Sequence, residues 1–282
     1  MSVHSPVLIF VPGSRPADPA APALLVTDLA ATRGDGVFET IGVFDGRAVN
    51  VGPHLDRLER SARMMDLPLP AREELSAAME AAIAAHDPVA ELTVRVIVSR
   101  GVEGSGEPTA WVHARAADDW SSHRAGMRVI TLDRGLATTA PRTSPWLLAG
   151  AKSLSYAVNM AATREAVRRG ARDVLFVATD GYVLEGPTST LLVRRGEDFL
   201  TTPVSAGVLP GTSVGTLFAA LQAEGRSARE ELMTVADVAG SDGAWLLSSS
   251  RLAAPLTHLD EAELPVDREL TERFGRLLTG RD

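Results

Sequence analysis

The sequence predicts an α+β protein with two domains. Its 282 residues are 45% hydrophobic, which is enough to fill one large core or two modest ones. Through residues 1–115, short apolar and β-branched runs alternate with stretches of helical periodicity. Residues 116–126 are polar and lack a clear period, as linkers do. We therefore predict a small N-terminal α/β domain at 1–115, a linker at 116–126 and a larger C-terminal domain at 127–282.

Each element of the N-terminal domain has its own local signal. A helix begins at Pro53, after which apolar residues recur at helical spacing. A second, alanine-rich helix is predicted at Arg72–Ala85 and ends before an Asp-Pro pair. The predicted strands, each bounded by Gly, Pro or a polar residue, are Val7–Val11, Val37–Phe44, Leu92–Val98 and Ala110–Ala114.

The C-terminal domain is predicted to begin with a strand at Met127–Leu132, followed by an irregular segment. The run Tyr156–Arg169 is typical of an amphipathic helix. The apolar residues that share one side of this helix are Ala157, Met160, Ala161 and Val167. The remaining elements are strands at Asp173–Ala178, Leu191–Arg194 and Ala244–Leu247, a helix at Thr212–Ala223, and a mostly helical tail.

Composition excludes several classes of function. The net charge of −8 argues against nucleic acid or an anionic membrane as the main partner. The absence of cysteine excludes disulfides, thiolate catalysis and cysteine-ligated metal centres, and we predict no metal site. The N-terminal segment is too short and wrongly flanked for a secretory signal, and no apolar run approaches the ~20 residues of a membrane helix. We expect a cytoplasmic protein.

Lys152 is the only lysine in the sequence, and it follows the apolar and small residues 147–151. A lysine that forms an imine must be neutral part of the time, which requires burial or nearby positive charge to lower its pKa. The alternative is a partly buried surface lysine in a chain that otherwise uses arginine. The apolar residues before Lys152 are consistent with burial, and by themselves they leave both interpretations open.

Two further segments supply an acid and an anion site. Glu185 lies in LEGPTST, and its carboxylate can pair with the nitrogen of a pyridine ring. Thr212 and Ser213 follow Pro210-Gly211 and open a helix, whose first N–H groups favour an anion. The alternatives are an ordinary turn and an ordinary helix cap. Together, an amine, an acid and a phosphate site are what pyridoxal 5'-phosphate (PLP) requires of a protein.

The segments AKSLSY, LEGPTST and LPGTS, with GDGVFET and HLDRL before them, resemble the class IV aminotransferase family. This resemblance implies a two-domain fold type IV PLP enzyme that forms a homodimer. It implies a Schiff base with PLP at Lys152 and a ring-nitrogen contact for Glu185. Tyr156 is implied near the phenolic oxygen, or else as a packing residue. The residues implied for phosphate binding are Arg57, Thr212, Ser213 and Ser249, and those on the substrate side are Phe38 and Thr40.

The chain departs from the family pattern at three places. Family members often have Asn where Thr190 stands, and Arg where Val214 stands. D-amino-acid aminotransferases carry an Arg-x-His carboxylate trap shortly after a strand that ends in Arg-Gly. Here Arg-Gly is followed by VEGSGEP, which contains neither Arg nor His. A substrate carboxylate would therefore need another cation, for which Arg33 and Arg142 are candidates.

The resemblance leaves more than one reaction open. We favour a transaminase that moves an amino group from a D-amino acid or R-amine to a keto acid. The alternative is an aminodeoxychorismate lyase, which releases pyruvate and 4-aminobenzoate. A non-catalytic PLP-binding relative is less consistent with the joint presence of Lys152, Glu185 and Arg57, because a structural protein needs no unique buried amine.

Overall fold

The structure, a computed structural model, describes residues 5–281 and divides into two compact units. The first unit contains residues 5–118 and 151–156, and the second contains 119–150 and 157–281. Residues 1–4 and 282 of the predicted domain bounds lie outside the described residues. Both units mix helices with strands, which confirms the predicted α+β class.

The boundaries differ in detail from the predicted ones. The predicted linker contains the last residue of a strand, Ala116, and a short helix at Ser121–Arg124. Residues 151–156 belong to the first unit, although the prediction placed them in the second domain. The reason is main-chain pairing between this segment and a strand of the first unit, which sequence periodicity does not report.

The first unit is one antiparallel sheet with helices on one face. Its strands are β1 (Val7–Val11), β2 (Arg15–Ala17), β3 (Gly36–Phe44), β4 (Arg47–Ala48), β5 (Glu91–Ser99) and β6 (Thr109–Ala116), in the order β2-β1-β6-β5-β3-β4. Its helices are α1 (Leu29–Thr32), α2 (Val51–Met64) and α3 (Arg72–Ala85). Alternate residues of the strands, such as Ile41, Val94 and Val112, meet the apolar sides of α2 and α3 in the core. The other sheet face carries Phe38 and Thr40.

The second unit is built on a mixed sheet. Its helices are α4 (Ser121–Arg124), α5 (Ala140–Thr143), α6 (Ala157–Arg168), α7 (Thr212–Ala223), α8 (Val235–Ala239) and α9 (Arg268–Thr279). Its strands are β7 (Met127–Asp133), β8 (Asp173–Val177), β9 (Thr190–Arg195), β10 (Asp198–Thr201), β11 (Ser227–Glu230), β12 (Gly243–Ser248), β13 (Leu252–Leu259) and β14 (Ala262–Glu263). The order is β11-β10-β9-β12-β13-β7-β8, with β14 paired to β13. Short 3₁₀ turns lie at Pro145–Leu147 and Val204–Ala206.

Two expectations for the second unit were wrong. The tail after residue 248 was expected to be mostly helical, but β13 continues the sheet between β12 and β7. Strand propensity does not indicate β13, because its LAAPLTHL sequence contains Pro255 and two alanines, which are uncommon in strands. The side of α6 formed by Ala157, Met160, Ala161 and Val167 was expected to be the packed one, and all four residues are exposed. The buried residues of α6 are Ala162 and Ala166, whose small side chains permit close packing on β7 and β8.

No helix among residues 5–281 is long and apolar enough to cross a membrane.

Candidate active site

The Lys152 segment is fixed to the first unit by main-chain hydrogen bonds to β3. The N–H of Phe38 donates to the carbonyl of Lys152 at 3.0 Å, and the N–H of Leu154 donates to the carbonyl of Gly36 at 2.8 Å. From the opposite direction, the Lys152 N–H donates to Oγ of Ser61, a fully buried residue on α2, at 3.1 Å. The segment therefore acts as a short extra strand at the open edge of β3, and its position is set on both sides.

Glycines in the GDGVFET motif make this docking possible. A Cβ added at Gly36 would lie 2.5 Å from the carbonyl oxygen of Val98 and 2.7 Å from Cδ1 of Leu154. Gly34 has a φ of +64°, a conformation that side chains disfavour, and its carbonyl accepts a hydrogen bond from Ser155 Oγ at 3.1 Å. The N-terminal motif thus holds the lysine segment, which lies more than 100 residues later in the sequence.

The amine of Lys152 lies against aromatic rings. Its Nζ is 4.3 Å from the centroid of the Phe38 ring and 5.9 Å from that of Tyr156. The two rings meet edge to face, with centroids 5.4 Å apart. The residue is half-buried, which is compatible both with a reactive amine and with the partly buried surface lysine that was the alternative. Phe38 and Tyr156, predicted for the substrate and the cofactor, are thus brought to the lysine.

A buried ionic network lies beneath this amine. Glu39, fully buried, accepts hydrogen bonds from Arg57 Nε at 2.6 Å and Arg57 Nη2 at 2.7 Å. His54 Nδ1 lies 2.7 Å from Glu39 Oε2. Arg57 is itself only 8% exposed, so it is not an ordinary solvent-exposed arginine of a surface helix. An arginine has five N–H donors, so pairing with Glu39 through two of them does not exhaust its capacity to bind a phosphate.

The charges of this network are set by their mutual contacts. Burial alone would raise the pKa of Glu39, but the charge and hydrogen bonds of Arg57, with His54 and Lys152, lower it to about 2. Burial lowers the pKa of His54, and the charges of Arg57 and Lys152 act in the same direction against the opposing pull of Glu39. At neutral pH, Glu39 is therefore ionised and His54 is neutral. The carboxylate requires a donor, so we assign the proton to His54 Nδ1.

The sheet face that bears Phe38 and Thr40 also bears cations. Thr40 pairs with Arg95 on β5, and Arg95 pairs with His113 on β6. Arg95 is exposed to solvent, and desolvation by the surrounding protein, together with the charge of Arg115, lowers its pKa. The nearby carboxylate of Asp118 is engaged by Arg115 at 2.9 and 2.8 Å. Arg95 was not among the residues identified from the sequence. Its place in the predicted strand Leu92–Val98 could have indicated it, because alternate residues of a strand face opposite sides of the sheet.

The two arginines that were candidates for carboxylate binding are both exposed. Arg33 follows α1, and its Nη1 donates to the carbonyl of the preceding Thr32 at 3.3 Å. Arg142 lies in α5 of the second unit. Neither belongs to β3 or to a strand that pairs with it.

In the second unit, Glu185 is tied to the LPGTS loop. Both of its carboxylate oxygens accept the N–H of Leu209, at 3.1 and 3.2 Å. The residue follows β8 in a short return strand, where the Phe176 N–H donates to its carbonyl at 2.9 Å. The side chain is half-buried. This contact links the predicted acid to the predicted phosphate loop, and its backbone donor could not be read from side-chain patterns.

The LPGTS loop opens α7 as predicted. The N-cap of this helix is Gly211, which has no side chain with which to cap the first turn. A Cβ on Gly211 would lie 2.4 Å from Thr190 Oγ1, so the loop packs directly on the LEGPTST turn. Thr212 is half-buried and Ser213 is 6% exposed in the first turn. The first N–H groups of a helix favour an anion, so the position of Thr212 and Ser213 is compatible with phosphate binding, which stays a prediction.

Ser189 adds an unexpected polar atom to this turn. Its hydroxyl oxygen is buried and has no hydrogen-bond partner within the described part of the chain. It lies where a Cβ on Gly186 would approach to 2.3 Å. A buried hydroxyl without a partner is costly and calls for a ligand or ordered water. Ser249 lies half-buried in the turn between β12 and β13 of the same unit.

These residues fit PLP. Lys152 offers a primary amine on aromatic faces, and Glu185 offers a carboxylate that a backbone N–H holds in place. The first turn of α7, whose N-cap is a glycine, offers backbone donors to a phosphate, and Ser189 offers a hydroxyl without a hydrogen-bond partner among the described residues. Within each unit, the chemistry of these groups suits PLP. Across residues 5–281, moreover, no group of three or more His, Asp or Glu residues could hold a metal ion.

Comparisons with known proteins identify the family of the chain. The family model for class IV aminotransferases matches residues 36–259. A bifunctional aminodeoxychorismate lyase / D-amino acid transaminase from Mycobacterium tuberculosis is 46% identical over 92% of this chain and 93% of that protein. The fold IV transaminase CpuTA1 from Curtobacterium pusillum superposes with a TM-score of 0.94, at 42% identity, over 98% of this chain and all of that one. A PLP-bound hypothetical aminotransferase from Mycobacterium tuberculosis gives 0.92 at 43% identity, with 98% of each chain covered.

The chain therefore belongs to the class IV aminotransferase family. It is a PLP-dependent enzyme with the fold type IV architecture, as the sequence predicted.

Proposed function

We propose that the enzyme moves the amino group of a D-amino acid or R-amine to a keto acid, with Lys152 as the residue that holds the cofactor. The observation that carries the proposal is the position of the only lysine, whose amine lies on the rings of Phe38 and Tyr156. The name of the M. tuberculosis relative, a lyase and D-amino acid transaminase, supports the preference for D-amino acids.

Bound PLP supplies an aldehyde that condenses with primary amines and a ring that accepts electrons from the adjacent carbon. Lys152 Nζ would hold the cofactor through its aldehyde group, and as a free amine it would move a proton at the substrate α-carbon as general base and acid. The network of Glu39, Arg57 and His54 supplies fixed charges that interact with this amine.

The other site residues bind and orient the cofactor. The carboxylate of Glu185, held by the Leu209 N–H, would keep a proton on the pyridine nitrogen. Tyr156 would support the phenolic oxygen through its hydroxyl group. Arg57, Thr212 and Ser213 at the start of α7, and Ser249 would bind the phosphate.

The face of β3 that bears Phe38 and Thr40 selects the substrate. Phe38 and Thr40 contact the substrate, and Arg95, beside Thr40, binds a carboxylate. A guanidinium suits this role because it pairs with both oxygens of a carboxylate. The presence of this cation favours an amino acid over a simple amine as the natural donor. Arg95 takes the role for which Arg33 and Arg142 were the earlier candidates.

The lyase is the second candidate, and the name of the M. tuberculosis relative is the observation that favours it. The same amine and acid serve both reactions, since each begins with removal of the α-proton. The two differ in whether a carbon–oxygen bond of the substrate then breaks. No residue of the described site distinguishes them.

We also propose that two copies of the chain associate in the cytoplasm. Large apolar side chains are exposed in the second unit, among them Trp146 at 73%, Met160 at 46% and Val167 at 67%. Such residues are common where a second protein surface covers them. The family resemblance makes a second copy of this chain the partner that we propose.

The proposed function is tested by a half-reaction in a spectrophotometer. Holoenzyme is mixed separately with D-alanine, L-alanine and R-1-phenylethylamine while the visible band of the lysine-bound cofactor is followed. We expect D-alanine to bleach the band and a keto acid to restore it. A band that persists with all three compounds would favour the lyase, which is then tested by release of 4-aminobenzoate from aminodeoxychorismate. Absence of the band in protein purified with PLP would contradict the proposal itself.

A further inference from the structure

Two arginines hold the turn that carries Ser249: Arg124 lies outside the turn, and Arg251 belongs to it. It joins β12 to β13, with Ser248 paired to Leu252 across the hairpin. Arg124 on α4 donates from Nη2 to the carbonyl of Ser250 and from Nε to the carbonyl of Arg251, both at 3.0 Å. One guanidinium thus binds two successive carbonyl groups of the turn, directly after Ser249 in the sequence.

The second arginine anchors the turn to the neighbouring part of the sheet. Arg251 Nη1 donates to Asp173 Oδ2 at 2.7 Å, and both side chains are about 5% exposed or less. Asp173 begins β8. The guanidinium of Arg251 lies 5.8 Å from the centre of the Trp120 ring, and its Nε and Nη2 have no hydrogen-bond acceptor among residues 5–281. The main-chain N–H of Arg251 donates to Ser248 Oγ at 3.2 Å.

Stability alone is a weak explanation for this arrangement. A buried ion pair gains little over an apolar pair of similar volume, because both charges must be desolvated. The turn also leads into Leu252, a branched residue with a φ of +64°, which persists only where the surroundings enforce it. The contacts of Arg124 and Arg251 therefore serve better as a device that fixes the shape of the turn.

We propose that Arg124 and the Arg251–Asp173 pair are positioning residues that set the Ser249 hydroxyl for the cofactor phosphate. The inference rests on the proposed function, which assigns the phosphate to Ser249. Neither arginine needs to contact the cofactor. Both act through the carbonyl groups and the backbone of residues 248–251, so their effect on binding should require both the phosphate and the Ser249 hydroxyl.

The test compares Arg124→Gln with Arg172→Gln as a matched control. Arg172 is exposed and donates to Ser122 on the same helix at 2.6 Å, but it makes no contact with the Ser249 turn. Dissociation constants of the apoenzymes are measured for PLP and for pyridoxal, which lacks the phosphate. We expect Arg124→Gln to weaken PLP about tenfold, as for loss of one oriented hydrogen bond, and to leave pyridoxal unchanged. Arg172→Gln should change neither constant.

A double-mutant cycle with Ser249→Ala completes the test. If Arg124 acts through Ser249, its replacement should change PLP affinity less than twofold in the Ser249→Ala background. Equal weakening of PLP and pyridoxal, additivity with Ser249→Ala, or behaviour like Arg172→Gln would overturn the inference. Because Arg251→Met alone leaves Asp173 as a buried charge, the pair is tested as Asp173→Asn/Arg251→Met, for which the same phosphate-specific loss is expected.

Failure of the inference is distinguishable from failure of the proposed function. If the wild-type protein forms the lysine-bound band and Ser249→Ala weakens PLP, but Arg124→Gln does not, then only the inference fails. If Ser249→Ala has no effect, the phosphate role of Ser249 fails and the inference fails with it, while Lys152 is judged by its own band. Lack of that band in the wild-type protein would remove the basis of both.

Discussion

Lys152 is the residue on which the chemistry depends, and its being the only lysine makes it unusually easy to test. Borohydride reduction of the holoenzyme attaches the cofactor permanently to the amine that holds it. We expect the label on the peptide that contains residue 152. The Lys152→Ala variant should lack the label and keep its far-UV circular dichroism spectrum. Its turnover should fall by at least about 10³-fold, because the amine both holds the cofactor and transfers the proton. A label retained in Lys152→Ala would contradict the assignment.

Arg95 is the residue that we expect to select for a carboxylate. Replacing Arg95 with Gln removes the charge beside Thr40, so KM for D-alanine should rise about tenfold or more. Turnover of R-1-phenylethylamine, which has no carboxylate, should stay within about twofold of wild type. Arg115→Gln is the matched control, because Arg115 is on the neighbouring strand and already pairs with Asp118. Equal losses with both donors would show that Arg95 serves the fold rather than the substrate.

At the scale of elements, the fixed point is the pairing of the Lys152 segment with β3. Gly36→Ala would place a Cβ 2.5 Å from the Val98 carbonyl, so either the strand or the lysine segment must shift. We expect the folded state to be destabilised by about 1–3 kcal/mol and the cofactor to dissociate faster. Gly52→Ala in α2 is the control, because its added Cβ has nothing nearer than 3.9 Å and alanine favours helix. Thermal melts and the rate of loss of the visible band measure both effects.

At the scale of the whole molecule, the Glu39 network makes stability depend on pH. The pKa of Glu39 is lowered from its usual 4.5 to about 2 in the folded protein. Its carboxylate therefore stabilises the folded state above about pH 4.5, and this contribution, about 3 kcal/mol, is lost as the pH falls toward 2. The lowered pKa of His54 acts in the same sense below its usual value of 6.5. Urea unfolding between pH 7 and pH 3 measures the slope.

The Glu39→Gln variant isolates this contribution. It should be less stable than wild type by about 3–5 kcal/mol at pH 7, because Arg57 is left as a buried charge without its partner. Its stability should then fall less steeply with acid. Glu165→Gln is the control, since that carboxylate pairs with Arg168 and Arg169 on an exposed face of α6. If Glu39→Gln and Glu165→Gln showed the same dependence of stability on pH, the Glu39 network would not be the source of the acid sensitivity.

Association of two copies is also a property of the whole molecule. The chain mass is 29.8 kDa, and we expect analytical ultracentrifugation to give a molecular mass of about twice that value. Met160→Asp places a charge among the exposed apolar residues of α6 and should shift the equilibrium toward the monomer. Arg168→Gln, on the same helix, should leave it unchanged. A wild-type protein that sediments as a monomer at micromolar concentration would contradict the proposal.

By itself, the sequence determined the class of chemistry and much of the secondary structure. The lone lysine, the Glu-Gly turn and the Gly-Thr-Ser helix start were recognisable because each is a local pattern with a chemical reason. The predicted strand Val7–Val11 and helix Arg72–Ala85 coincide with β1 and α3 for the same reason, since periodicity is a property of consecutive residues.

Only the tertiary structure decided which residues meet. Glu39 gave no signal in sequence, because an acidic residue in a strand looks solvent-facing until the fold places Arg57 and His54 on it. The backbone N–H of Leu209 on Glu185, and the carbonyl groups bound by Arg124, involve main-chain atoms that every residue possesses. The Lys152 segment joined the first unit through strand pairing across more than 100 residues. Such contacts depend on long-range register, which no local pattern of side chains encodes.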